Sequence, residues 1–193
     1  MKKTTIIVIL IILIILILSV TFKKEDKEVS AGVFNSLEEL FPLKSTRIKC
    51  RLDGKEHKVR VVSVNKDSEK TVIVTERKEK SASDEITIRM TYDIYSDRVV
   101  ESGKHIIKGK EVSTIYPLEI IKGQISLGSS WTSADGLINS KITKIEGKKI
   151  TIESVRKTEV YEEGRKTPII KSTVETRVYE KGKGIIEYNT VIK

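Results

Sequence analysis

Apolar residues form one uninterrupted run near the start of this chain of 193 residues. Every position from Ile6 to Leu18 is Ile, Leu or Val. The segment from Thr4 to Phe22 is close in length to the ~20 residues that a helix needs to cross the hydrocarbon core of a bilayer. Each such residue favours insertion by about 0.5 kcal/mol near the bilayer centre. We therefore predict that residues 1–22 form a transmembrane anchor.

The segment after this run bears on whether the anchor is cleaved. A secretory signal has an apolar region of roughly 7–15 residues, followed closely by a small-residue cleavage site. The candidate site, Val29 to Ala31, lies beyond the charged run Lys23 to Glu28, and no Cys near the span could carry a lipid. We predict an uncleaved signal anchor that spans the cell membrane once, followed by a charged stalk over residues 23–32.

Basic residues flank the span on both sides, so the positive-inside rule gives nearly equal counts. Lys2 and Lys3 precede it, whereas Lys23, Lys24 and Lys27 follow it. We favour a C-terminal domain outside the cytoplasm for two reasons. Lys2 and Lys3 lie directly at the N-terminal tip of the chain, and the domain has no motif of a cytosolic enzyme.

Beyond the stalk, apolar and polar residues alternate with a period of two, which is typical of strands with one solvated face. The clearest run is Ile86 to Tyr95. Asp53-Gly54 is favoured in two-residue type I′ turns and predicts a hairpin in which Cys50 lies opposite His57. Further strands are predicted over 71–76, 137–145, 150–161, 169–179 and 185–192, whereas 99–115 is left as strand or loop.

Short strands joined by turn residues, with no helix between them, predict an antiparallel meander. About one turn of helix is expected at Ser36 to Glu39, which fits a capping box, before Pro42 ends it. The predicted fold class is therefore all-β. Residues 33–193 would form a curved sheet or sandwich, preceded by one N-terminal transmembrane helix.

Short segments of the β domain recur in the same order, which suggests two duplicated halves over 41–101 and 116–188. Alternatively, strands built from Ile, Val, Lys and Thr resemble one another through composition alone. The recurring pairs are Phe41–Leu43 with Tyr116–Leu118, Lys70–Val74 with Lys148–Ile152, Ile94–Tyr95 with Val178–Tyr179, and Val99–Glu101 with Ile185–Glu187.

The chain is basic, with a net charge of +9 that becomes +7 when Lys2 and Lys3 of the anchor are set aside. A basic surface beside a membrane attracts anionic lipid headgroups or anionic wall polymers. Nucleic acid is not expected as a partner, because stacking platforms need aromatic side chains in a basic groove. The few aromatic residues here fall mostly on apolar strand phases.

Candidate chemistry is sparse. A thiol beside an imidazole can become a nucleophile, so Cys50 and His57 are the residues to consider for catalysis. No third orienting residue or oxyanion loop can be identified, and we predict no catalytic residue and no enzyme activity. The two histidines, His57 and His105, lie in different halves, and no Cys-x-x-Cys occurs. We therefore predict no metal site and no cofactor.

Four aromatic residues are candidates for contact with a ligand. Each could form the wall of an apolar site, or could instead fill the core of the sheet. They are Trp131, Tyr92, Tyr179 and Tyr188.

Three motifs resemble a known pattern: Tyr116-Pro117-Leu118, Gly128-Ser129-Ser130-Trp131 and Tyr179-Glu180-Lys181-Gly182-Lys183-Gly184. Over roughly residues 33–190 the chain resembles uncharacterised extracytoplasmic β-domains of clostridial-type Gram-positive bacteria, which are often lipoproteins or membrane-anchored. The resemblance implies a β fold and an extracytoplasmic location, and it implies no activity. The first Pro-Leu, at Pro42, departs from the pattern because no Gly and Trp follow it.

Together these features predict a membrane-anchored extracytoplasmic module that binds a lipid, a wall polymer or another envelope protein. One alternative is a carrier of an apolar ligand in the cavity of a curved sheet, and another is a structural subunit of a membrane complex. An envelope hydrolase is disfavoured. An open apolar cavity would support the carrier function, whereas a filled core would exclude it.

Overall fold

The computed structural model describes residues 34–80, 83–160, 167 and 169–192. They belong to one compact unit, Gly32–Lys193. The predicted anchor and stalk, residues 1–32, lie outside the described residues. Within the described ranges, no helix is both long enough and apolar enough to cross a membrane.

The described residues form one short 3-10 helix and eleven strands, so the predicted all-β class is confirmed. The segment 99–115, which the sequence left as strand or loop, falls in β5 and β6 except for the turn at Lys108 and Gly109. The 3-10 helix is Leu37–Leu40. The strands are β1 Arg47–Leu52, β2 Lys55–Lys66, β3 Thr71–Lys80, β4 Glu85–Ile94, β5 Arg98–Ile107, β6 Lys110–Lys122, β7 Ser130–Thr132, β8 Ile138–Glu146, β9 Lys149–Val160, β10 Ile169–Glu180 and β11 Gly184–Ile192.

The strands make a single sheet in the order β6-β5-β4-β3-β2-β1-β11-β10-β9-β8-β7. Neighbours are antiparallel except β1 and β11, which pair in parallel. The predicted antiparallel meander is therefore found within β1–β6 and within β7–β11, but the sheet as a whole is mixed. It nearly closes into a barrel, which corresponds to the predicted curved sheet rather than the sandwich.

The β1–β2 hairpin has the predicted register, with Cys50 opposite His57. Asp53 and Gly54 have φ values of 46° and 78°. A type I′ turn requires positive φ at both central residues, and Asp-Gly is one of the pairs that tolerate it. This turn places Cys50 and His57 on the inner face of the sheet.

One end of the curved sheet is filled by the 3-10 helix and the residue that follows it. Leu37, Leu40 and Phe41 are buried there. The Phe41 ring lies 5.3 Å from the ring of Tyr92 and 5.9 Å from the ring of Tyr179, measured between centroids. We call Leu37–Phe41 the end plug.

Ion pairs join the end plug to the last residue of β2 and to the turn between β10 and β11. Glu38 pairs with Lys66 at 2.8 Å, and Glu39 pairs with Lys181 at 2.8 Å. The predicted capping box is not formed, because the Ser36 side chain makes no capping hydrogen bond. The Glu39 carboxylate instead accepts a hydrogen bond from the backbone N–H of Asn35 at 3.2 Å.

Replacing Leu40 by Ala should destabilise the protein, because its side chain is 0% exposed and the plug cannot readily collapse around the gap. We expect Leu40→Ala to lower the free energy of unfolding by about 2–5 kcal/mol. The matched control is Leu43→Ala, since Leu43 is 52% exposed, and it should change stability by less than about 0.5 kcal/mol. Urea unfolding measures both. Equal losses would contradict the plug.

Candidate functional site

The inner face of the sheet surrounds a cavity of about 770 Å³ that opens to solvent. Ligand sites in proteins usually measure roughly 300–1,000 Å³. The cavity extends from Phe41 at the plugged end to Asp53 and Lys55 at the turn between β1 and β2. Much of its wall is apolar, because the inward positions of the strands carry Ile, Leu and Met. Examples are Ile48, Leu52, Ile73, Ile88, Met90 and Ile185.

A charged side chain, Arg177 of β10, is buried in this wall and is only 7% exposed. Its Nη1 donates a hydrogen bond to Oε1 of Glu101 at 3.2 Å, and its Nη2 donates to Oε2 of Glu175 at 3.1 Å. The guanidinium also lies 5.5 Å from the ring centroid of Tyr188. Its Nε has no hydrogen-bond partner among the described residues.

The charge of Arg177 is maintained by its partners. Burial alone would lower the pKa of Arg177, but Glu101 and Glu175 outweigh that effect and raise the pKa well above its usual value. Arg177 is therefore a permanent cation inside a cavity whose wall carries both apolar and charged residues. Such a group is tolerated only when it is paired and hydrogen-bonded.

Other charges of the wall are also paired. Nε of Arg77 lies 2.9 Å from Oε1 of Glu79, and Nδ1 of His57 lies 3.8 Å from the same oxygen. Nε of Arg156 lies 4.0 Å from Oε1 of Glu175. Within the described part of the chain, each arginine on the cavity wall therefore faces a carboxylate.

Cys50 and His57 both line the cavity, as cross-strand neighbours. Burial raises the pKa of the Cys50 thiol, and Arg77 offsets only part of this effect. A nucleophilic cysteine needs the opposite, a lowered pKa that gives thiolate near neutral pH. The arrangement therefore lacks an activated nucleophile. Over the described residues, no three or more His, Cys, Asp or Glu side chains are grouped so that they could hold a metal ion.

The four aromatic residues predicted as ligand contacts occupy two different environments. Tyr92 and Tyr188 line the cavity. Trp131 and Tyr179 are buried in the hydrophobic core and are not on the cavity wall. Sequence reasoning missed Arg177, although a signal was present: Arg177 stands two residues before Tyr179 on the same strand and so shares its inward face.

No known protein family matches the chain, and neither does any curated protein or solved structure. The resemblance to clostridial-type extracytoplasmic β-domains stays a prediction. A fold does not by itself define a function, so the function has to be inferred from the shape and chemistry of the cavity.

The environment of Cys50 predicts slow reaction with thiol reagents. Cys50 is 4% exposed, and its raised pKa keeps the thiol protonated at neutral pH. We expect alkylation of the folded chain at pH 8 to be at least about tenfold slower than alkylation of the urea-unfolded chain, where the pKa returns to about 8.5. Cys50 is the only cysteine, so Cys50→Ser reports the background.

The same shift has a consequence for stability. Because the folded-state pKa of Cys50 lies above the unfolded value, its contribution to stability is present below the unfolded pKa and is lost as the pH rises through the folded pKa.

In the thiol-reagent experiment, alkylation of the folded chain as fast as that of the unfolded chain would contradict a buried, protonated thiol.

Proposed function

We propose that this protein binds an amphipathic lipid inside the curved sheet and acts as a lipid-binding protein or carrier. The observation that carries this proposal is the cavity of about 770 Å³, whose wall combines apolar residues with the buried Arg177 cluster. Protein interiors are normally packed as densely as organic crystals, with few voids larger than a water molecule. The cavity departs from this density, and its volume is that of ordinary ligand sites.

The wall has two kinds of surface, and an amphipathic molecule has the same two. Leu52, Ile88 and Met90 offer apolar contact to a hydrocarbon chain. Each methylene group that leaves water contributes about 0.8 kcal/mol. The Arg177 guanidinium has more N–H groups than its two carboxylate partners accept, so it can donate a hydrogen bond to one polar group, which would orient the molecule in the cavity.

The predicted location is compatible with this activity. An anchor over residues 1–22 and a stalk over residues 23–32 would keep the β domain within ~30 Å of the bilayer, the reach of an extended stalk. A carrier at that distance could receive a lipid from the membrane or return it. The other functions predicted above, contact with a wall polymer or an envelope protein and a structural role in a membrane complex, have no comparable feature in the described residues that supports them.

The proposal predicts that affinity depends on hydrocarbon length. We expect 1-alkanols to displace a fluorescent alkyl probe from the full-length chain held in an amphipathic polymer. Affinity should rise about fourfold for each added methylene, because 0.8 kcal/mol corresponds to that factor. The rise should stop when the cavity is filled. Competition titrations over a series of alkanol lengths measure this dependence.

A cavity-filling variant separates binding in the cavity from partition into the polymer. Ile88→Trp places a larger side chain on the wall and should weaken alkanol binding at least about tenfold. Val112→Trp is the matched control, since Val112 is exposed and lies outside the wall. If Ile88→Trp lowers stability in urea unfolding, Leu52→Trp replaces it. Equal binding by a folded cavity variant and the control would refute the proposal.

A further inference from the structure

We infer that the polar group of the bound lipid is uncharged, an ester, amide or hydroxyl group rather than a carboxylate or phosphate. This inference rests on the proposed function, because it concerns the ligand of the same cavity. It follows from how the charges of the wall are already paired.

The cluster around Arg177 has no positive charge to spare. Arg177 faces Glu101 at 3.2 Å and Glu175 at 3.1 Å, and Arg156 lies 4.0 Å from Glu175. Two guanidinium groups thus oppose two carboxylates. An acidic lipid that reached Arg177 would lie beside both carboxylates as well. The repulsion would act in a poorly solvated site, where like charges are disfavoured far more than in water.

The other charges of the wall do not change this balance. The charge of Arg77 is opposed by Glu79 at 2.9 Å, with His57 at 3.8 Å from the same carboxylate. Lys183, at the plugged end, pairs with Glu180 at 2.6 Å. The remaining wall charges, Lys55, Asp53 and Asp135, are exposed to solvent and include more acids than bases.

A neutral acceptor, by contrast, fits the hydrogen-bonding capacity that remains. Arg177 carries five N–H groups, and its two carboxylate partners accept from only two of them, one on Nη1 and one on Nη2. A carbonyl or hydroxyl oxygen can accept from a remaining N–H of these nitrogens, directly or through a water molecule, without adding charge. A buried donor that gains a partner also removes an unfavourable contribution to the free energy of the site. The geometry therefore favours an uncharged acylglycerol-like lipid over a free fatty acid.

The test compares two lipids that share one acyl chain, monopalmitoylglycerol and palmitate. Both compete with the fluorescent alkyl probe for the full-length chain in the amphipathic polymer at pH 8. We expect the uncharged lipid to bind at least about tenfold more tightly, a difference of ~1.4 kcal/mol. Equal or tighter binding of palmitate would overturn the inference and leave the proposed function intact. If neither lipid nor the alkanols bind, the proposed function itself fails.

A charge variant tests the cause. Glu101→Gln removes one carboxylate but retains an acceptor for Arg177, so palmitate should bind about tenfold more tightly, ~1.4 kcal/mol. Binding of monopalmitoylglycerol should change by less than about threefold, or ~0.7 kcal/mol. Glu111→Gln is the matched control, because Glu111 lies on β6 outside the cavity wall, and it should alter neither lipid. Unchanged palmitate binding in Glu101→Gln would overturn the electrostatic explanation.

Glu175→Gln provides a second route if Glu101→Gln does not fold, since it removes the other carboxylate that faces Arg177. The same gain in palmitate affinity is expected. A melting curve of each variant in the polymer distinguishes a folded protein with altered preference from an unfolded one. Loss of binding for both lipids in two folded variants would contradict the inference, because removal of negative charge should not weaken an uncharged ligand.

Discussion

The parallel pairing of β1 with β11 is the constraint on which the cavity depends. It joins the meander β1–β6 to the meander β7–β11, through Arg51 opposite Glu187 and Leu52 opposite Tyr188. Beyond the last pair, the backbone N–H of Asp53 donates to the carbonyl of Tyr188 at 2.8 Å. Without this join the two meanders would be separate sheets, and the inner faces that now surround the cavity would lose their common interior.

The direction of this pairing follows from the number of strands and does not depend on a duplication. In a meander, alternate strands run the same way, so β1, β3 and β5 are parallel to one another, as are β7, β9 and β11. With eleven strands, the first and the last are both odd-numbered, and they pair in parallel. If the recurring segments at Lys148 and Ile185 reflect a duplication, β9–β11 are the counterparts of β3–β5. The recurring pair Phe41–Leu43 and Tyr116–Leu118 does not occupy equivalent places in the fold, because Phe41 follows the 3-10 helix whereas Tyr116 lies within β6. The duplication stays a prediction.

The strands could be predicted from the alternation of side chains, but the cavity could not. The predicted strand Ile86–Tyr95 differs from β4, Glu85–Ile94, by one residue at each end. Residues 99–115 were ambiguous because the β5–β6 pairing contains three register shifts, each of which breaks the period of two. Alternation shows which face a residue occupies and not which strands are neighbours. Inward residues such as Ile88 and Leu52 therefore look the same whether they fill a core or line a cavity.

The end plug and the Arg177 cluster divide the interior into two parts with different physical roles. At the plugged end, Phe41, Tyr92 and Tyr179 pack together and supply the close contacts that stabilise a fold. Along the cavity wall, Arg177 and its carboxylates are desolvated, and a buried ion pair is weak support for stability, because apolar residues of similar volume often stabilise as well or better. Paired charges inside an apolar cavity do have a clear effect on recognition. In the proposed lipid-binding activity, Arg177 donates a hydrogen bond to a polar group while its carboxylates repel a further anion, so a feature that is weak support for folding would discriminate between ligands.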